Sequence, residues 1–427
     1  MSAFANIQAL FKRRYGPYVN PLPSENTMAK YASFVAQNVR PGENYNFPVQ
    51  LGIEHGVTHN TDNSAFALNS VVDSVVKNAQ LDGSTITIAG NIPYDVIAKS
   101  MNGEGGAYME AMDYKVKLLM LSGEHYREAN LLYGGGTGAT LAAELAVVNA
   151  SVSGANLAAP QVINITRATW SAGFWNNMTN ALVDIYQSDG MTLRETEVTV
   201  QAQDPTKNRL TLFKSGSAAT VAAGDKIILR SSKAKSAYGL QAILENTGTL
   251  FGIDAATYPQ WRSINFSSGA AALTAVKIQQ LTSRLKNNGL DGGGTLFVSA
   301  ATFADLVDEL DDRDRYIQQA GSALPEMKQT GANNITVKSP VGPVEIAVHK
   351  HMKQGIAMFC ARDKVYRVGS TDLTFSLPGT NKWFYVELPS NAGAQIRVFT
   401  NQAPIITVPY HSAIVSSIVN AADTTPS

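Results

Sequence analysis

The chain has 427 residues, a length typical of two or three folded units. Charged residues make up only 16% of it, and 34 basic residues balance 34 acidic ones, which excludes a strongly basic nucleic-acid binder and an acidic disordered tail. The single cysteine, Cys360, excludes an internal disulfide and a cysteine-rich zinc module.

The low content of charge also bears on partners. A surface covered mainly by Ser, Thr, Asn, Gln, Ala and Gly is less costly to desolvate than one covered by Lys and Glu. The cores of protein interfaces are likewise depleted in charge. The composition therefore favours a subunit of an assembly.

Residues 1–50 are predicted to form an extended arm, because prolines punctuate the segment and disfavour helix before each of them. A short helix is predicted over 27–37, with Ser24 or Asn26 as its cap. The first fourteen residues are interpreted as a docking helix or arm, with a short transit peptide as the alternative. Their apolar helical face consists of Phe4, Ile7, Leu10 and Phe11. The aromatic side chains of the arm have no local core and are expected to pack on something else: Tyr15, Tyr18, Tyr31, Phe34, Tyr45 and Phe47.

Residues 51 to about 103 are predicted to form a projecting hairpin. Strand-like runs occur at 53–61 and 84–88, and the second alternates as Ser-Thr-Ile-Thr-Ile before a turn at 89–91. The valine-rich piece 70–77 fits either a strand or a short helix.

The clearest helix of the chain is predicted from Ala107 to about Tyr133, where apolar residues recur at helical spacing. At ~1.5 Å per residue it would run about 40 Å. Gly123 lies in its middle and costs about 1 kcal/mol relative to alanine, which indicates close packing or a bend. Asp113 and Lys117 are spaced to pair on the opposite face.

The centre of the chain is predicted to contain helices at 139–150 and 171–187, followed by strands from 192 to 232 that are interpreted as a self-contained β-insertion. The whole chain is α+β, and its C-terminal sheet is expected to rejoin the element begun by the long helix. Beyond the insertion, two helices are predicted at 273–287 and 301–310, with strands at 295–299, 344–349, 356–360, 384–388 and 395–400.

The motifs for catalysis and phosphate binding are incomplete. The glycine run 134–138 lacks the Gly-Lys-Ser/Thr end of a phosphate loop and is interpreted as a flexible turn between helices. Ser232–Lys235 fits Ser-x-x-Lys, but its companion motifs are missing. Cys360 lies in an apolar strand and is predicted to be a small buried hydrophobe. No catalytic residue and no cofactor are predicted.

No metal site and no membrane-spanning segment are predicted either. The pairs His55/His59 and His349/His351 each lack an evident third ligand. The most apolar long stretch, 139–159, carries a glutamate and an asparagine and is broken by a Ser-Gly pair, so it falls short of the roughly 20 apolar residues that a spanning helix needs.

The densest charge of the sequence lies at 308–315. On a helix, Glu309 pairs with Arg313 and Asp311 pairs with Arg315. The cluster does not match a calcium-binding EF-hand loop. A solvated helix end and a set of salt bridges to a neighbouring subunit are the two interpretations.

The order of these parts resembles the major capsid protein of tailed bacteriophages, which has the Hong Kong 97-type fold. The shared order is an N-terminal arm, a projecting hairpin (the extended loop), one long spine helix, a mixed central domain and a closing sheet. Several local phrases also resemble that family: Gly224-Asp225, 248–253 leading to 258–261, and 339–344.

The resemblance implies a structural, non-enzymatic subunit that self-assembles into hexamers and pentamers of an icosahedral phage head around double-stranded DNA. The subunit would lie in the virion after assembly in the host cytoplasm, with portal and scaffolding proteins, and cement or decoration proteins, as partners. The implied division is an N-terminal arm at 1–50, an extended loop at 51–104, a spine helix of the peripheral domain at 105–138, an axial domain at 139–340 with the β-insertion at about 191–233, and a closing sheet with C-terminal tail at 341–427.

Two other functions stay open: an encapsulin-type shell, which shares the fold but encloses enzymes, and an enzyme with an unrecognised site. An arm and a hairpin cannot bury enough apolar area alone to offset roughly 1–2 kcal/mol per ordered residue. Both are therefore expected to reach away from their own body onto neighbouring copies. The candidate inter-subunit contacts are Phe4, Tyr15, Tyr18, Tyr31, Phe34, Glu309, Asp311, Arg313 and Arg315.

Overall fold

A computed structural model describes residues 28–35, 45–61, 66–93, 106–138, 144–154, 156–309, 335–375, 385–387 and 393–421. Within these ranges the chain folds into a five-stranded sheet, a six-stranded sheet and a closed barrel, together with two small two-stranded sheets. The α+β class predicted from the sequence is confirmed. None of the helices in the described ranges is long and apolar enough to cross a membrane.

The first described segment, residues 28–35, is called the arm root below. It forms helix α1 (Met28–Tyr31) and strand β1 (Ser33–Phe34), so the helix predicted over 27–37 is much shorter than expected. The helix ends early because β1 pairs in parallel with strand β18 (Val365–Thr374). Met28 is only 1% exposed, so the arm root packs on its own chain, contrary to the expectation that it reaches outward.

The projecting hairpin comes from a different stretch than predicted. Strands β2 (Tyr45–Gln50) and β3 (Val76–Leu81) form its antiparallel base. Strand β4 (Ser84–Pro93) instead pairs along its whole length with β20 (Gly393–Ile406). The turn predicted at 89–91 is wrong, because this ladder to β20 overrides the local Gly-Asn signal.

The long helix α2 (Gly106–Tyr133) is confirmed. The close packing predicted at Gly123 is also confirmed, since a Cβ there would lie 3.0 Å from Leu373 Cδ1 and 3.3 Å from Val398 Cγ1. These two side chains belong to β18 and β20, in the five-stranded sheet that also contains β1, β4 and β19 (Tyr385–Glu387). The C-terminal sheet therefore does rejoin the long helix.

The closed barrel is larger than the predicted insertion. Residues 146–150 are strand, not helix, and the helix predicted over 171–187 shrinks to α3 (Ala172–Trp175) before a strand begins. β-Branched residues such as Val148 and Ile185 are fully or almost fully buried inside the barrel, where strand pairing outweighs the alanine-rich local sequence. The barrel strands are β5 (Ala146–Ser153), β6 (Gln161–Ile165), β7 (Leu182–Tyr186), β8 (Leu193–Asp204), β9 (Arg209–Phe213) and β10 (Lys226–Leu229).

The six-stranded sheet contains strands from before and after residue 340, where the sequence predicted a boundary between the axial domain and the closing sheet. Helix α4 (Leu240–Leu244) and a small hairpin of β11 (Thr249–Leu250) and β12 (Ile253–Asp254) precede it. The predicted helices are confirmed as α5 (Ala275–Asn287) and α6 (300–309), and they pack on this sheet through Leu281 and Leu306. Its strands, in spatial order, are β13 (Ile264–Ala271), β21 (Ala413–Ile418), β17 (Ala357–Ala361), β14 (Gly294–Val298), β16 (Gly342–Val348) and β15 (Ile335–Ser339).

The C-terminal region does not form a single closing sheet over 341–427. The chain leaves the six-stranded sheet after β17, forms β18 to β20 of the five-stranded sheet, and returns as β21. The predicted strands near 295, 344, 356, 384 and 395 all exist. The assignment of the last four of these strands to one closing sheet is wrong, because strand pairing is set by distant partners that the local sequence does not reveal.

Candidate functional site

The hairpin that begins with β2 and β3 carries an unusual set of exposed apolar side chains. Leu68 is 80% exposed, Val71 73% and Ile53 66%. Together they form the hairpin patch, which contains more than half of the large exposed hydrophobic side chains in the described part of the chain: Ile53, Val57, Phe66, Leu68, Val71, Val72, Val75 and Val76.

Within the described ranges, none of the patch residues belongs to a buried hydrophobic cluster. The backbone N–H of His55 donates to the carbonyl of Val72 at 3.0 Å, so the two sides of the hairpin are held together beyond β2 and β3. Val75 lies 3.4 Å from the position that a Cβ on Gly52 would take. Val71 lies 3.7 Å from the position that a Cβ on Gly56 would take. Since glycines face these valines, no side chain from across the hairpin covers them.

Such a patch is typical of a surface that another molecule covers. An isolated two-stranded hairpin is marginally stable in water, and soluble monomers rarely expose contiguous apolar patches larger than a few hundred Å². The expectation that this segment leaves the body uncovered therefore agrees with the observed exposure. The only indication in the sequence was the valine-rich piece 70–77, which has no regular secondary structure up to residue 75 and enters β3 at Val76.

Several predicted inter-subunit contacts are found on their own chain. The ring of Tyr31 packs edge-on against Phe297 with centroids 4.9 Å apart, and its hydroxyl donates to the carbonyl of Cys360 at 3.1 Å. Cys360 is fully buried, as predicted. The guanidinium of Arg367 lies 5.4 Å from the ring of Phe34. These intrachain contacts leave a further contact with a neighbouring copy as a prediction.

One charged candidate, Glu309, also makes a contact on its own chain. The Glu309 carboxylate accepts a hydrogen bond from the backbone N–H of Ala275 at 2.8 Å, so it caps the start of α5. The remaining six candidates, and the predicted pairs that involve them, lie outside the described residues: Phe4, Tyr15, Tyr18, Asp311, Arg313 and Arg315.

A buried polar cluster lies beneath the arm root. Glu128 on α2 is 1% exposed, and its carboxylate accepts hydrogen bonds from the backbone N–H groups of Met28 at 2.7 Å and Ala29 at 3.1 Å. His349 Nε2 lies 3.4 Å from the same carboxylate. His349 Nδ1 accepts the backbone N–H of His351 at 3.2 Å, which places the proton of the neutral ring on Nε2, facing Glu128.

The structure adds a third imidazole that the sequence did not associate with this pair. The rings of His125 and His351 lie 4.8 Å apart, and Phe174 stacks on His125 at 4.9 Å. His125 Nε2 and both ring nitrogens of His351 are buried without a hydrogen-bond partner. Among the residues described, no group of three or more His, Cys, Asp or Glu side chains is placed to hold a metal ion.

Burial is the main reason why the pKa values of His125 and His351 lie below the usual value for histidine. It lowers the pKa of His125 to about 4, with Lys350 adding to the effect and Glu128 opposing it. Burial also lowers the pKa of His351 to about 2, with smaller contributions from His125 and His349. Both rings are therefore neutral at pH 7.

We expect the free energy of unfolding to fall as the pH drops from 6.5 to 4. The unfolded chain binds a proton on each imidazole near pH 6.5, whereas folded His125 binds one only near pH 4. Each such ring then loses about 3 kcal/mol of stability over this interval. Urea unfolding at pH 7, 5.5 and 4 measures the slope. The double variant His125→Phe/His351→Phe should flatten it, and an unchanged slope would contradict the assignment.

A buried lysine ties the neighbouring elements together. Lys353 is 1% exposed, and its ammonium donates to the Glu144 carbonyl at 2.5 Å and to Gln241 Oε1 at 2.8 Å. It also lies 4.4 Å from the ring of Tyr133, whose hydroxyl donates to the His351 carbonyl at 2.7 Å. Three different parts of the chain thus contact the Lys353 ammonium, which indicates a structural role for this side chain.

The glycine run after α2 is not the flexible turn that was predicted. The backbone N–H of Gly239 donates to the Gly134 carbonyl at 2.9 Å, and Gly136 donates to the carbonyl of Ala237 at 3.3 Å. Two backbone segments therefore cross in direct contact, and the glycines make room for that crossing.

Comparison with solved structures bears on the fold as a whole. A chain of the cyanophage A-1(L) capsid asymmetric unit aligns with 96% of this chain and 98% of its own, with a TM-score of 0.54 and 11% sequence identity. A capsid chain of a native GTA particle covers 98% of each chain at a TM-score of 0.45 and 8% identity. An encapsulin from Synechococcus elongatus PCC 7942 covers 98% of this chain and 96% of that one at 0.44 and 9%. No family model and no curated protein matches the sequence.

Proposed function

We propose that this chain, which shares its fold with the cyanophage A-1(L) capsid chain, is the major capsid protein of a tailed phage. The likeness in fold to that chain supports the resemblance predicted from the sequence. The observation that carries the function is the hairpin patch, a set of apolar side chains exposed on an element without a core. In a shell, neighbouring copies of the same chain cover this surface.

The proposal assigns a role to each part of the structure. The hairpin of 45–81 is the extended loop, and α2 is the spine helix. The five-stranded sheet and α2 make up the peripheral domain, and the six-stranded sheet with the barrel makes up the axial domain. This division replaces the boundaries at 51, 104 and 340 with ones that follow the observed strand pairing.

The proposed chain has a structural role without catalysis. Its subunits form hexamers and pentamers around double-stranded DNA, and zero formal net charge allows many copies to lie side by side without accumulating repulsion. Portal and scaffolding proteins, and cement or decoration proteins, are the expected partners, with assembly in the host cytoplasm and a final place in the virion.

Electron microscopy of the purified full-length chain tests the proposal. Closed shells or rings of five and six subunits are the expected result. A strictly monomeric species at high concentration would refute it. Shells that enclose a co-purified protein cargo and no DNA would instead favour an encapsulin-type compartment.

A pair of truncations tests the arm separately. A chain that lacks residues 1–27 keeps every described residue and is expected to fold as the full chain does but to assemble poorly. A chain that lacks residues 1–40 also loses the arm root and leaves Glu128 without its two backbone donors, which should cost a further ~1–3 kcal/mol. Urea unfolding and electron microscopy distinguish the two effects. Normal shells formed by the chain that lacks only residues 1–27 would contradict the role of the arm in assembly.

A further inference from the structure

Lys353 is a buried cation whose closest contacts are uncharged. Lysine is almost never fully buried unless it is paired, yet this side chain is only 1% exposed. Its Nζ donates to the backbone carbonyl of Glu144 at 2.5 Å and to the side-chain amide of Gln241 at 2.8 Å. The carboxylate of Glu144 lies farther away, at 3.7 Å. The amine is therefore held mainly by neutral oxygens in a site closed to water.

The amide of Gln241 is held at both ends. Gln241 is buried, its Oε1 accepts the hydrogen bond from Lys353, and its Nε2 donates to Glu245 Oε1 at 3.1 Å. Because a lysine can only donate and a carboxylate accepts, these two bonds fix which end of the amide faces each neighbour. The amide carbon Cδ is bonded to the oxygen that Nζ already contacts, and the amide nitrogen faces a carboxylate.

The lysine is also fixed along its backbone and its stem. The hydroxyl of Tyr133 accepts the backbone N–H of Lys353 at 3.0 Å, and the ring of Tyr133 lies 4.4 Å from Nζ. Burial lowers the pKa of Lys353, with Glu144 and Glu245 opposing the effect, so the nucleophilic neutral amine is more accessible than in water. Two reactants held in contact react as one molecule and not as two that must first meet.

We propose that Lys353 and Gln241 of one chain form an isopeptide bond, which links the turn after β16 to helix α4. Nζ attacks Cδ, the new C–N bond forms, the Cδ–Nε2 bond breaks, and Nε2 leaves as ammonia. Of the three protons of the ammonium, one stays on the new amide, one passes through Glu245 to Nε2, and one passes to the Glu144 carboxylate and then to water. Nothing is oxidised or reduced.

The site favours the product for a physical reason. A buried ammonium costs free energy that a hydrogen-bonded amide does not, so the reaction removes a charge from the interior. Glu245 is exposed and offers a route for protons to water, whereas the two reacting side chains are buried away from competing water. The bond forms once within one folded chain, so it goes beyond the proposed function and does not depend on assembly.

Mass spectrometry of the purified full-length chain, recorded after denaturation, tests the proposal. We expect an intact mass that is lower than the sequence mass by one molecule of ammonia. Trypsin does not cleave after a lysine in an isopeptide bond, so the digest should contain fragment 236–262, with Gln241, joined to fragment 351–362 through Lys353. Fragments 236–262 and 354–362 found only in free form, even after long incubation of the folded chain at neutral pH, would overturn the proposal.

Variants separate this reaction from accidental crosslinking. Glu245→Gln changes an exposed residue and keeps both reacting groups, but it removes the proton relay. The yield of joined fragment should fall about tenfold or more, because general acid–base catalysis typically contributes at least that factor. Glu54→Gln makes the same change on the hairpin and is the matched control, which should react as the parent does. Lys353→Arg should give no joined fragment. A yield from Glu245→Gln equal to that of the parent would overturn the proposed reaction.

Discussion

A chain that carries Leu68→Gln, Val71→Thr and Val72→Thr is expected to fold as the parent does and to fail to assemble. These side chains are 80%, 73% and 52% exposed in the isolated chain. Substitutions at such positions usually change the free energy of unfolding by about 0.5 kcal/mol or less. If neighbouring copies cover them, each polar replacement places an unsatisfied group in an apolar contact.

In the proposed shell, the expected effect on assembly is large because the same contact repeats between all neighbouring copies. Fully burying one valine or leucine contributes about 1.5–3 kcal/mol. Losing about 1 kcal/mol at each of the three positions weakens one contact by a factor of about 100. We therefore expect no shells at concentrations where the parent chain assembles fully, as measured by light scattering and electron microscopy.

Val276→Thr is the matched control for this experiment. Val276 is 44% exposed, similar to Val72, but it lies on α5 and outside the hairpin patch. This variant should assemble at the parent concentration. Shells formed by the triple variant at that concentration would contradict the role of the patch, and a large fall in its melting temperature would show that the patch packs on its own chain.

The sequence predicted those elements whose signal is local. Helices α2 and α5 show apolar residues at helical spacing, and the C-terminal strands show short apolar runs between turn residues. The beginning of the barrel was missed for the opposite reason. Alanine-rich local sequence around β5 favours helix, whereas its pairing with β6 and β10 makes it a strand.

The buried polar cluster beneath the arm root is harder to predict from the sequence than a helix or a strand. Glu128 and the backbone of Met28 are 100 positions apart in the chain, and no periodicity or motif connects them. The sequence presents His349 and His351 as a pair, but His125 joins them only because α2 packs against the turn that follows β16. The hairpin patch was within reach of sequence reasoning, because its valines stand in one short run. Its exposure depends on Gly52 and Gly56, which lie opposite two of the valines and leave them uncovered.

The crossing of two backbone segments at the end of α2 leads to the single substitution from which we expect a large loss of stability. We expect Gly239→Ala to lower the free energy of unfolding by about 3 kcal/mol or more. The new Cβ would lie 2.4 Å from the backbone nitrogen of Gly134 and 2.7 Å from that of Tyr133. A side chain can rotate away from such a clash, but backbone at the end of a packed helix cannot.

The backbone conformation of Gly239 is not the cause of this sensitivity. Its φ of −76° and ψ of 169° suit alanine, so the expected loss arises from space alone. Two other glycines separate the effects of space and conformation. Gly248 has no atom within 4 Å of the position that a methyl group would take and no left-handed φ, whereas Gly252 has equal space but a φ of +81°.

Urea unfolding of three single alanine variants therefore gives an ordered result. Gly248→Ala should be neutral or should stabilise by up to about 1 kcal/mol, because alanine restricts the unfolded chain. Gly252→Ala should cost about 1 kcal/mol for its left-handed backbone. Gly239→Ala should exceed both by a wide margin. If Gly239→Ala were as mild as Gly252→Ala, the segments around 134 and 239 would have to separate easily, which would contradict a tight backbone crossing there.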